Sequence, residues 1–384
     1  MIKLIKNVKI YSPEYLGSKD ILIFNDKIEK IDDDISINLD YTEIIDGNNY
    51  IAVPGYIDQH VHITGGGGEQ SFRTRVPEIN LSEFIESGIT TVIGLLGTDS
   101  QTRSVENLIA KAKALNEEGM TAYMLTGAYE YPSPTITGSI KKDITFFSEI
   151  IGVKLAISDH RASYVDSKIL EYVASEARVG SMLGNKPGIV TLHLGNGYDK
   201  LRLIREVIKN SNIPMKHFVP THINRNRDLL EDGFYYAAEG GNIDLTVGSG
   251  SDSSLNPSEV IAEAVRRGIP TEKITISSDG NGSWSDYDCE GNLIKIGKSS
   301  VKSLHGQIKS MIADKGFEPG DAIKFVTSSV SDLLKLNKAK GYIKEGFDAA
   351  ILLLDSQYNI DTVFMKGNTM MKHKKIIFKG TYEQ

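Results

Sequence analysis

The residues that could do chemistry begin with a His-x-His pair, His60 and His62, within the apolar segment Ile57–Ile63. Alternate side chains of a β-strand point to one face, so these two imidazoles can bind the same metal ion. Four glycines at 65–68 follow, where the backbone can approach a ligand closely, and then the carboxylate of Glu69. A lone His-x-His is more often a pair of packed core histidines. The metal interpretation therefore depends on the rest of the chain.

Four further candidate ligands stand in or directly after other apolar segments: Lys154, His193, His222 and Asp279. Lys154 lies among apolar residues, where an unpaired ammonium is costly and its pKa tends to fall. The alternatives are a lysine that reaches the surface or one that pairs with a carboxylate. A neutral lysine amine can react with carbon dioxide to form a carbamate, whose two oxygens can bridge two cations.

These residue types predict two zinc ions, because zinc accepts imidazole nitrogen together with carboxylate-type oxygen. A water molecule between the two ions would be deprotonated near neutral pH and act as the nucleophile. Asp279 would take its proton and pass it to the leaving amine. The first ion is assigned to His60, His62, the carbamate of Lys154 and Asp279, and the second to the carbamate, His193 and His222.

The middle of the chain alternates strand-like segments with amphipathic helical ones. Eight such units predict an α/β fold, a (β/α)₈ TIM-type barrel, in which chemistry takes place at the C-terminal ends of the strands. A doubly wound open sheet is the alternative, but no Gly-x-Gly-x-x-Gly turn follows the first strand. The predicted strands are Ile57–Ile63, Thr90–Leu96, Ala122–Gly127, Val153–Ser158, Ile189–Leu194, His217–His222, Ile243–Val247 and Lys273–Ser277. The helical patterns are Gln101–Glu118, Ser167–Leu183, Lys200–Asn210, Arg227–Glu239 and Pro257–Arg267.

Both ends of the chain differ from the middle. Short runs of alternating apolar and polar residues, separated by turn-forming residues, occupy residues 1–53 and return in residues 342–384. We predict one small β-sandwich domain built from both termini, which flanks a barrel domain at residues 54–341.

Composition excludes several classes of function. The net charge of −7 provides no basic field for nucleic acid or an anionic membrane. The one cysteine, Cys289, excludes an internal disulfide and fits a reducing compartment, and its acidic neighbours disfavour a nucleophilic thiolate. The N-terminal residues have no apolar signal-peptide core, and no apolar run reaches membrane-spanning length. We therefore expect a cytoplasmic protein.

The His-x-His pair, lysine, two histidines and aspartate resemble the ligand set of the amidohydrolase superfamily, in the branch that has a carboxylated lysine. This branch includes hydantoinases and dihydroorotases. Six motifs, spread over essentially the whole chain, together resemble the isoaspartyl dipeptidases of that superfamily. They are Gly-Gly-Gly-Gly-Glu at 65–69, Gly-Leu-Leu-Gly-Thr-Asp at 94–99, Gly-Ala-Tyr at 127–129, Ser-Asp-His-Arg at 158–161, Thr-His-Ile-Asn-Arg at 221–225 and Ser-Asp-Gly-Asn-Gly-Ser at 278–283. The resemblance implies hydrolysis of β-aspartyl dipeptides and a homo-oligomer of several subunits, such as an octamer.

The same substrate agrees with the charges near the candidate ligands. A β-aspartyl dipeptide carries one ammonium and two carboxylates, so it needs one anion and cations for both carboxylates. Arginine binds carboxylates through two parallel hydrogen bonds. The expected contacts are Glu69 to the ammonium, Arg161 and Arg225 to the carboxylates, Thr98 and Ser283 as neutral donors, and Tyr129 as the donor to the developing oxyanion.

Alternatives remain for several of these residues. Arg161 could be a surface arginine, since Asp159 and His160 beside it look solvated. Tyr131 competes with Tyr129, and Glu69 could only cap a loop. Trp284 and the segment Ser285–Ile294 are expected to cover the site. The alternative activity is a cyclic-amide hydrolase of the hydantoinase or dihydroorotase type, and a non-catalytic scaffold is the alternative outside enzymes.

Overall fold

The computed structural model describes residues 2–248, 255–288, 290 and 292–384. Cys289, for which the sequence predicts no nucleophilic role, lies outside the described residues. Five strands form the N-terminal part of the fold: β1 (Ile2–Tyr11), β2 (Tyr15–Phe24), β3 (Lys27–Asp32), β4 (Thr42–Asp46) and β5 (Ile51–Pro54).

Eight parallel strands follow. They are β6 (Tyr56–Val61), β7 (Ile89–Gly94), β8 (Thr121–Gly127), β9 (Ile150–Ile157), β10 (Ile189–Leu194), β11 (Phe218–Thr221), β12 (Ile243–Thr246) and β13 (Ile274–Ser277). β6 to β11 form one sheet in chain order, and β12 pairs with β13. The chain directly after β13 pairs with β6 through a parallel bridge between Val61 and Gly280. Strands β6, β7, β9 and β10 are buried along their full length, because parallel strands are covered on both faces.

Helices connect these strands and cover the sheet. They are α1 (Leu81–Glu86), α2 (Val105–Glu117), α3 (Ile140–Phe146), α4 (Ser167–Gly184), α5 (Arg202–Asn210), α6 (Arg227–Ala238) and α7 (Pro257–Arg267), followed by α8 (Lys302–Ala313), α9 (Pro319–Ile323) and α10 (Ser328–Leu333). Side chains of Ser104, Asp166 and Asn226 cap α2, α4 and α6 by accepting a backbone N–H of the first turn. None of the helices in the described ranges is long and apolar enough to span a membrane.

The hairpin that follows the last barrel strand consists of β14 (Ser283–Tyr287) and β15 (Leu293–Lys298). The C-terminal strands are β16 (Ile351–Leu354), β17 (Ile360–Met365), β18 (Asn368–Lys372) and β19 (Lys375–Ile376). β16 pairs with β5, and the strands of both termini therefore join one nine-stranded sheet. The two-layer sandwich predicted for these residues stays a prediction, as do the domain boundaries.

Candidate active site

The predicted metal ligands come together at the C-terminal ends of the barrel strands. His60 on β6 and Lys154 on β9 are fully buried, with Lys154 Nζ 3.1 Å from His60 Nε2. Asp279 Oδ1, directly after β13, lies 3.4 Å from His60 Nε2 and 3.2 Å from His62 Nε2. The ring of His222 is 5.1 Å from that of His60 and 4.7 Å from that of His193, measured between centroids. Side chains that are up to 219 positions apart in sequence thus form one cluster.

The donor atoms of this cluster fit a divalent cation. One ligand atom each from His60, His222 and Asp279 lies within 4.8 Å of the others. Three buried atoms, His60 Nδ1, His62 Nδ1 and Asp279 Oδ1, have no hydrogen-bond partner among the described residues. Buried polar atoms are normally satisfied, and imidazole nitrogen with carboxylate oxygen is the donor set that zinc accepts.

Burial also gives the ligands the protonation states that a metal requires. It lowers the pKa of His60, His193 and His222 well below the ordinary histidine value, so these imidazoles are neutral at pH 7. Burial lowers the pKa of Lys154 to about 7. No carboxylate in the described part of the chain forms an ion pair with this lysine. The interpretation of Lys154 as a surface lysine is therefore wrong, and among the described residues it has no carboxylate partner.

Two of the clustered residues adopt strained backbone conformations. His222 has φ of 63° and Asp279 has φ of 50°, both in the left-handed region. Strain of this kind costs about 1–3 kcal/mol per residue and concentrates at functional sites. The predicted strand His217–His222 correspondingly ends one residue earlier, at Thr221, because the left-handed turn at His222 ends the ladder. His222 Nδ1 contacts Thr246 Oγ1 at 2.7 Å, which orients the ring.

The glycine loop carries Glu69 into the site. Gly65 has φ of 85°, and a Cβ there would lie 1.9 Å from the carbonyl oxygen of Val76, so only glycine fits. The buried guanidinium of Arg103 donates to the backbone oxygens of Thr64, Gly66 and Val76. Sequence reasoning missed Arg103, because these carbonyl partners lie on a different segment of the chain.

A cavity of about 750 Å³ lies above the cluster. All six predicted substrate contacts line it: Glu69, Thr98, Tyr129, Arg161, Arg225 and Ser283. His62, His193, His222 and Asp279 line the same cavity. Tyr131 instead packs edge-to-face against Tyr172, with ring centroids 6.3 Å apart.

The two arginines have different surroundings. Arg161 Nη1 donates to Glu69 Oε1 at 2.6 Å and to Thr98 Oγ1 at 3.0 Å. Its Nε and Nη2 donate to Asp159, and Nη2 also lies 3.1 Å from His193 Nε2. Arg225 has a buried Nε with no partner, and it forms no ion pair with any described carboxylate. Burial lowers the pKa of Arg225. A half-buried guanidinium whose buried Nε lacks a partner, and that has no paired anion among the described residues, is unfavourable, so this residue marks a place for a ligand carboxylate.

The environment of Asp159 differs from the solvated one that the sequence suggests. The residue is only 6% exposed, although its polar neighbours suggested a solvated loop. His160 does point to solvent, with 71% of its side chain exposed. Although burial opposes ionisation of Asp159, hydrogen bonds from Arg161 and His193 hold its pKa far below the ordinary aspartate value. Arg161 is consequently a residue of the cavity and not a surface arginine.

The hairpin β14–β15 forms one wall of the cavity. Ser285 Oγ donates to Glu69 Oε2 at 3.0 Å, and Trp284, Ile294 and Lys295 line the space. Lys295 Nζ lies 5.1 Å from the Trp284 ring centroid, a cation–π contact. Within the segment Ser285–Ile294, the residues Ser285, Asp288 and Ile294 therefore border the cavity.

A barrel with buried histidines and a carboxylate at the C-terminal strand ends has the arrangement that is typical of metal-dependent hydrolases built on this barrel. The amidohydrolase family model matches residues 188–380, about half of the chain. The chain belongs to the amidohydrolase family.

Comparison with individual proteins agrees with this family assignment. A β-aspartyl dipeptidase of Fervidobacterium islandicum AW-1, whose crystal structure contains the dipeptide β-Asp-Leu, is 41% identical, with 98% of each chain covered and a TM-score of 0.92. A dihydropyrimidinase of Brevibacillus agri shares the barrel fold at 15% identity and a TM-score of 0.69, with 99% of this chain and 97% of that chain covered. A dihydroorotase of Aquifex aeolicus is 28% identical over 48% of each chain. The match to that curated relative spans about half of its length.

Proposed function

We propose that this protein is a metal-dependent dipeptidase that hydrolyses β-aspartyl (isoaspartyl) dipeptides. The observation that carries the proposal is one cavity that joins the histidine cluster to a carboxylate and two guanidinium groups. An ammonium and two carboxylates of the substrate match these charges with opposite sign, which gives specificity. The 41% identical β-aspartyl dipeptidase with bound β-Asp-Leu supports the same substrate.

The metal centre in this proposal contains two zinc ions. His60, His62 and Asp279 would hold one ion, His193 and His222 would hold the other, and Lys154, if carboxylated at Nζ, would contribute to both. Support comes from the buried unpartnered donors and from a lysine at 0% exposure that no carboxylate within the described ranges neutralises. When bound, the ions would lower the pKa of a water molecule and polarise the scissile carbonyl.

Two residues of the chain act on the proton of the attacking water and on the negative charge that develops on the carbonyl oxygen. Asp279, with 13% of its side chain exposed, accepts the proton of the attacking water and returns it to the leaving amine. Tyr129 donates its hydroxyl hydrogen to the carbonyl oxygen as that oxygen becomes negative. Burial raises the pKa of Tyr129, so its hydroxyl keeps the proton that this role needs.

Substrate binding uses the charged wall of the cavity. The substrate ammonium pairs with Glu69, which already accepts from Thr98 at 3.0 Å. Arg225 takes one substrate carboxylate, for which its unpartnered Nε is available, and Arg161 contacts the other. Ser283 adds a neutral hydrogen bond.

The direct test is hydrolysis of β-Asp-Leu, α-Asp-Leu and dihydroorotate by the purified, zinc-loaded protein. We expect cleavage of β-Asp-Leu alone. Preference for dihydroorotate would favour the cyclic-amide hydrolase, which needs no carboxylate for an ammonium. Failure of the purified protein to take up zinc, together with absence of hydrolysis, would favour the non-catalytic scaffold. The cytoplasmic location and the homo-oligomer stay predictions.

Tyr129→Phe is expected to lower kcat for β-Asp-Leu by about 10²–10³-fold, the typical loss of one oxyanion donor. KM should change little, because the hydroxyl acts mainly in the transition state. Tyr131→Phe is the matched control, since Tyr131 contacts Tyr172 and does not line the cavity. Steady-state kinetics of both variants decide the question. Equal kcat values for the two variants would remove the oxyanion role from Tyr129.

A further inference from the structure

Asp159 is a buried carboxylate to which the proposed reaction assigns no step. It follows β9 and reaches toward β10 over Gly195, where a Cβ would lie 2.5 Å from Asp159 Oδ2. Glycine at position 195 therefore makes room for this carboxylate. The Asp159 carboxylate accepts hydrogen bonds from the side chains of one candidate metal ligand, His193, and one candidate substrate contact, Arg161.

The contact with His193 selects one imidazole tautomer. Asp159 Oδ2 lies 3.0 Å from His193 Nε2. Arg161 Nη2 also lies 3.1 Å from Nε2, but it donates to the same Asp159 oxygen, which only accepts hydrogen bonds. The Tyr129 hydroxyl can donate to Nδ1, so the tautomer that satisfies both Asp159 and Tyr129 carries its hydrogen on Nε2 and keeps the lone pair on Nδ1. Nδ1 is the nitrogen on the Tyr129 side, 2.6 Å from the tyrosine hydroxyl oxygen. Asp159 thus keeps the nitrogen that can bind a cation directed into the cavity.

Asp159 also fixes the orientation of the Arg161 guanidinium. Arg161 Nε donates to Asp159 Oδ1 at 2.8 Å and Nη2 donates to Oδ2 at 2.7 Å, a bidentate pair. The backbone N–H of Arg161 also donates to Oδ1, at 2.9 Å. This pairing leaves Nη1 as the edge that faces Glu69 and Thr98 in the cavity.

We propose that Asp159 is a positioning residue that couples the two halves of the site, orienting His193 toward the metal centre and Arg161 toward the substrate carboxylate. The inference rests on the proposed function for the role of Arg161. The orientation of His193 by Asp159 depends only on contacts between residues of the chain. Carboxylates that accept the second N–H of a metal-binding histidine commonly change metal affinity or activity by 10–100-fold when they are replaced.

Asp159→Asn tests the coupling. An amide presents one acceptor and one donor, so it cannot accept from His193 and from both Arg161 nitrogens together. We expect zinc affinity, measured by competition with a chromogenic chelator, to fall about 10–100-fold, and KM for β-Asp-Leu to rise about tenfold or more. Arg161→Lys should raise KM but lower zinc affinity less than Asp159→Asn does, because the Asp159 carboxylate that accepts from His193 is still present.

The matched control is Asp20→Asn, which removes another buried aspartate that pairs with a cation, Lys6, and accepts two backbone N–H groups far from the site. It should lower the melting temperature without changing zinc affinity or KM. If Asp159→Asn behaves in the same way, or changes only one of the two quantities, the coupling is wrong. If the wild type binds zinc but does not cleave β-Asp-Leu, the proposed function fails. The zinc affinity of Asp159→Asn still tests whether Asp159 orients His193.

A measurement on the wild type avoids any folding defect of the variants. In zinc-loaded protein labelled with ¹⁵N-histidine, NMR should show His193 protonated at Nε2, with the signal assigned by its loss in His193→Gln. Protonation at Nδ1 instead would overturn the proposal.

Discussion

Lys154→Ala is expected to lower kcat/KM for β-Asp-Leu by about 10³–10⁴-fold, since losing metal-assisted chemistry costs several kcal/mol of transition-state stabilisation. The side chain is fully buried, lies 3.1 Å from His60 Nε2, and forms no ion pair with any described residue. A carbamate on this amine would add oxygen ligands to the histidine nitrogens, so the variant should also bind less zinc, measured by elemental analysis.

Small carboxylic acids test the chemistry of the missing group. Formate or acetate can enter the space that alanine leaves and supply the two oxygens of the carbamate. We therefore expect partial, concentration-dependent recovery of both zinc content and hydrolysis in Lys154→Ala.

Lys340→Ala is the matched control for removal of a buried lysine. Lys340 is 6% exposed and pairs with Asp348 at 2.5 Å, outside the cavity. It should lose stability but keep zinc and activity. If Lys154→Ala keeps a full complement of zinc, the lysine is not part of the metal centre.

The barrel strands could be predicted because their physical pattern is local. Parallel strands buried on both faces have short apolar runs in their sequence, and the run Ile189–Leu194 predicts a strand with the bounds that the structure has. The helix Pro257–Arg267 also matches, since Pro257 and Gly268 mark its ends. The grouping of the predicted ligands follows from the same strands, because the C-terminal ends of parallel neighbours meet at one edge.

Other features depend on contacts that no local pattern encodes. The hairpin strand Ser283–Tyr287 has few apolar residues, and its Ser285 is held in place by Glu69, 216 positions away. Asp159 sits in a polar sequence but is buried by His193 from the next strand. The ends of the chain were recognised as strands, while their union in one sheet depends on the pairing of β5 with β16.

Glu69→Gln is expected to lower kcat/KM for β-Asp-Leu by about 10²–10³-fold, because loss of one partner leaves the other charge of a buried pair uncompensated. Only 10% of the Glu69 side chain is exposed, and Arg161, Thr98 and Ser285 already orient its oxygens. These contacts hold the pKa of Glu69 below its ordinary value despite burial, so it is an anion at neutral pH. Kinetics of β-Asp-Leu with the wild type and the variant measure the loss.

The substrate amine provides the reciprocal test. N-acetyl-β-Asp-Leu lacks the ammonium, so the wild type should reject it strongly, since a neutral acetamide would occupy the place beside the Glu69 carboxylate that the proposal gives to a cation. Glu69→Gln should lose most of that discrimination, because a neutral amide no longer requires a cation. The matched control is Glu130→Gln, since Glu130 accepts from Ser100 at 2.6 Å but does not line the cavity. Discrimination by Glu69→Gln as strong as that of the wild type would mean that another group recognises the ammonium. In that case Glu69 serves only to orient Arg161, and the charge match that favours a β-aspartyl dipeptide over a cyclic amide is lost.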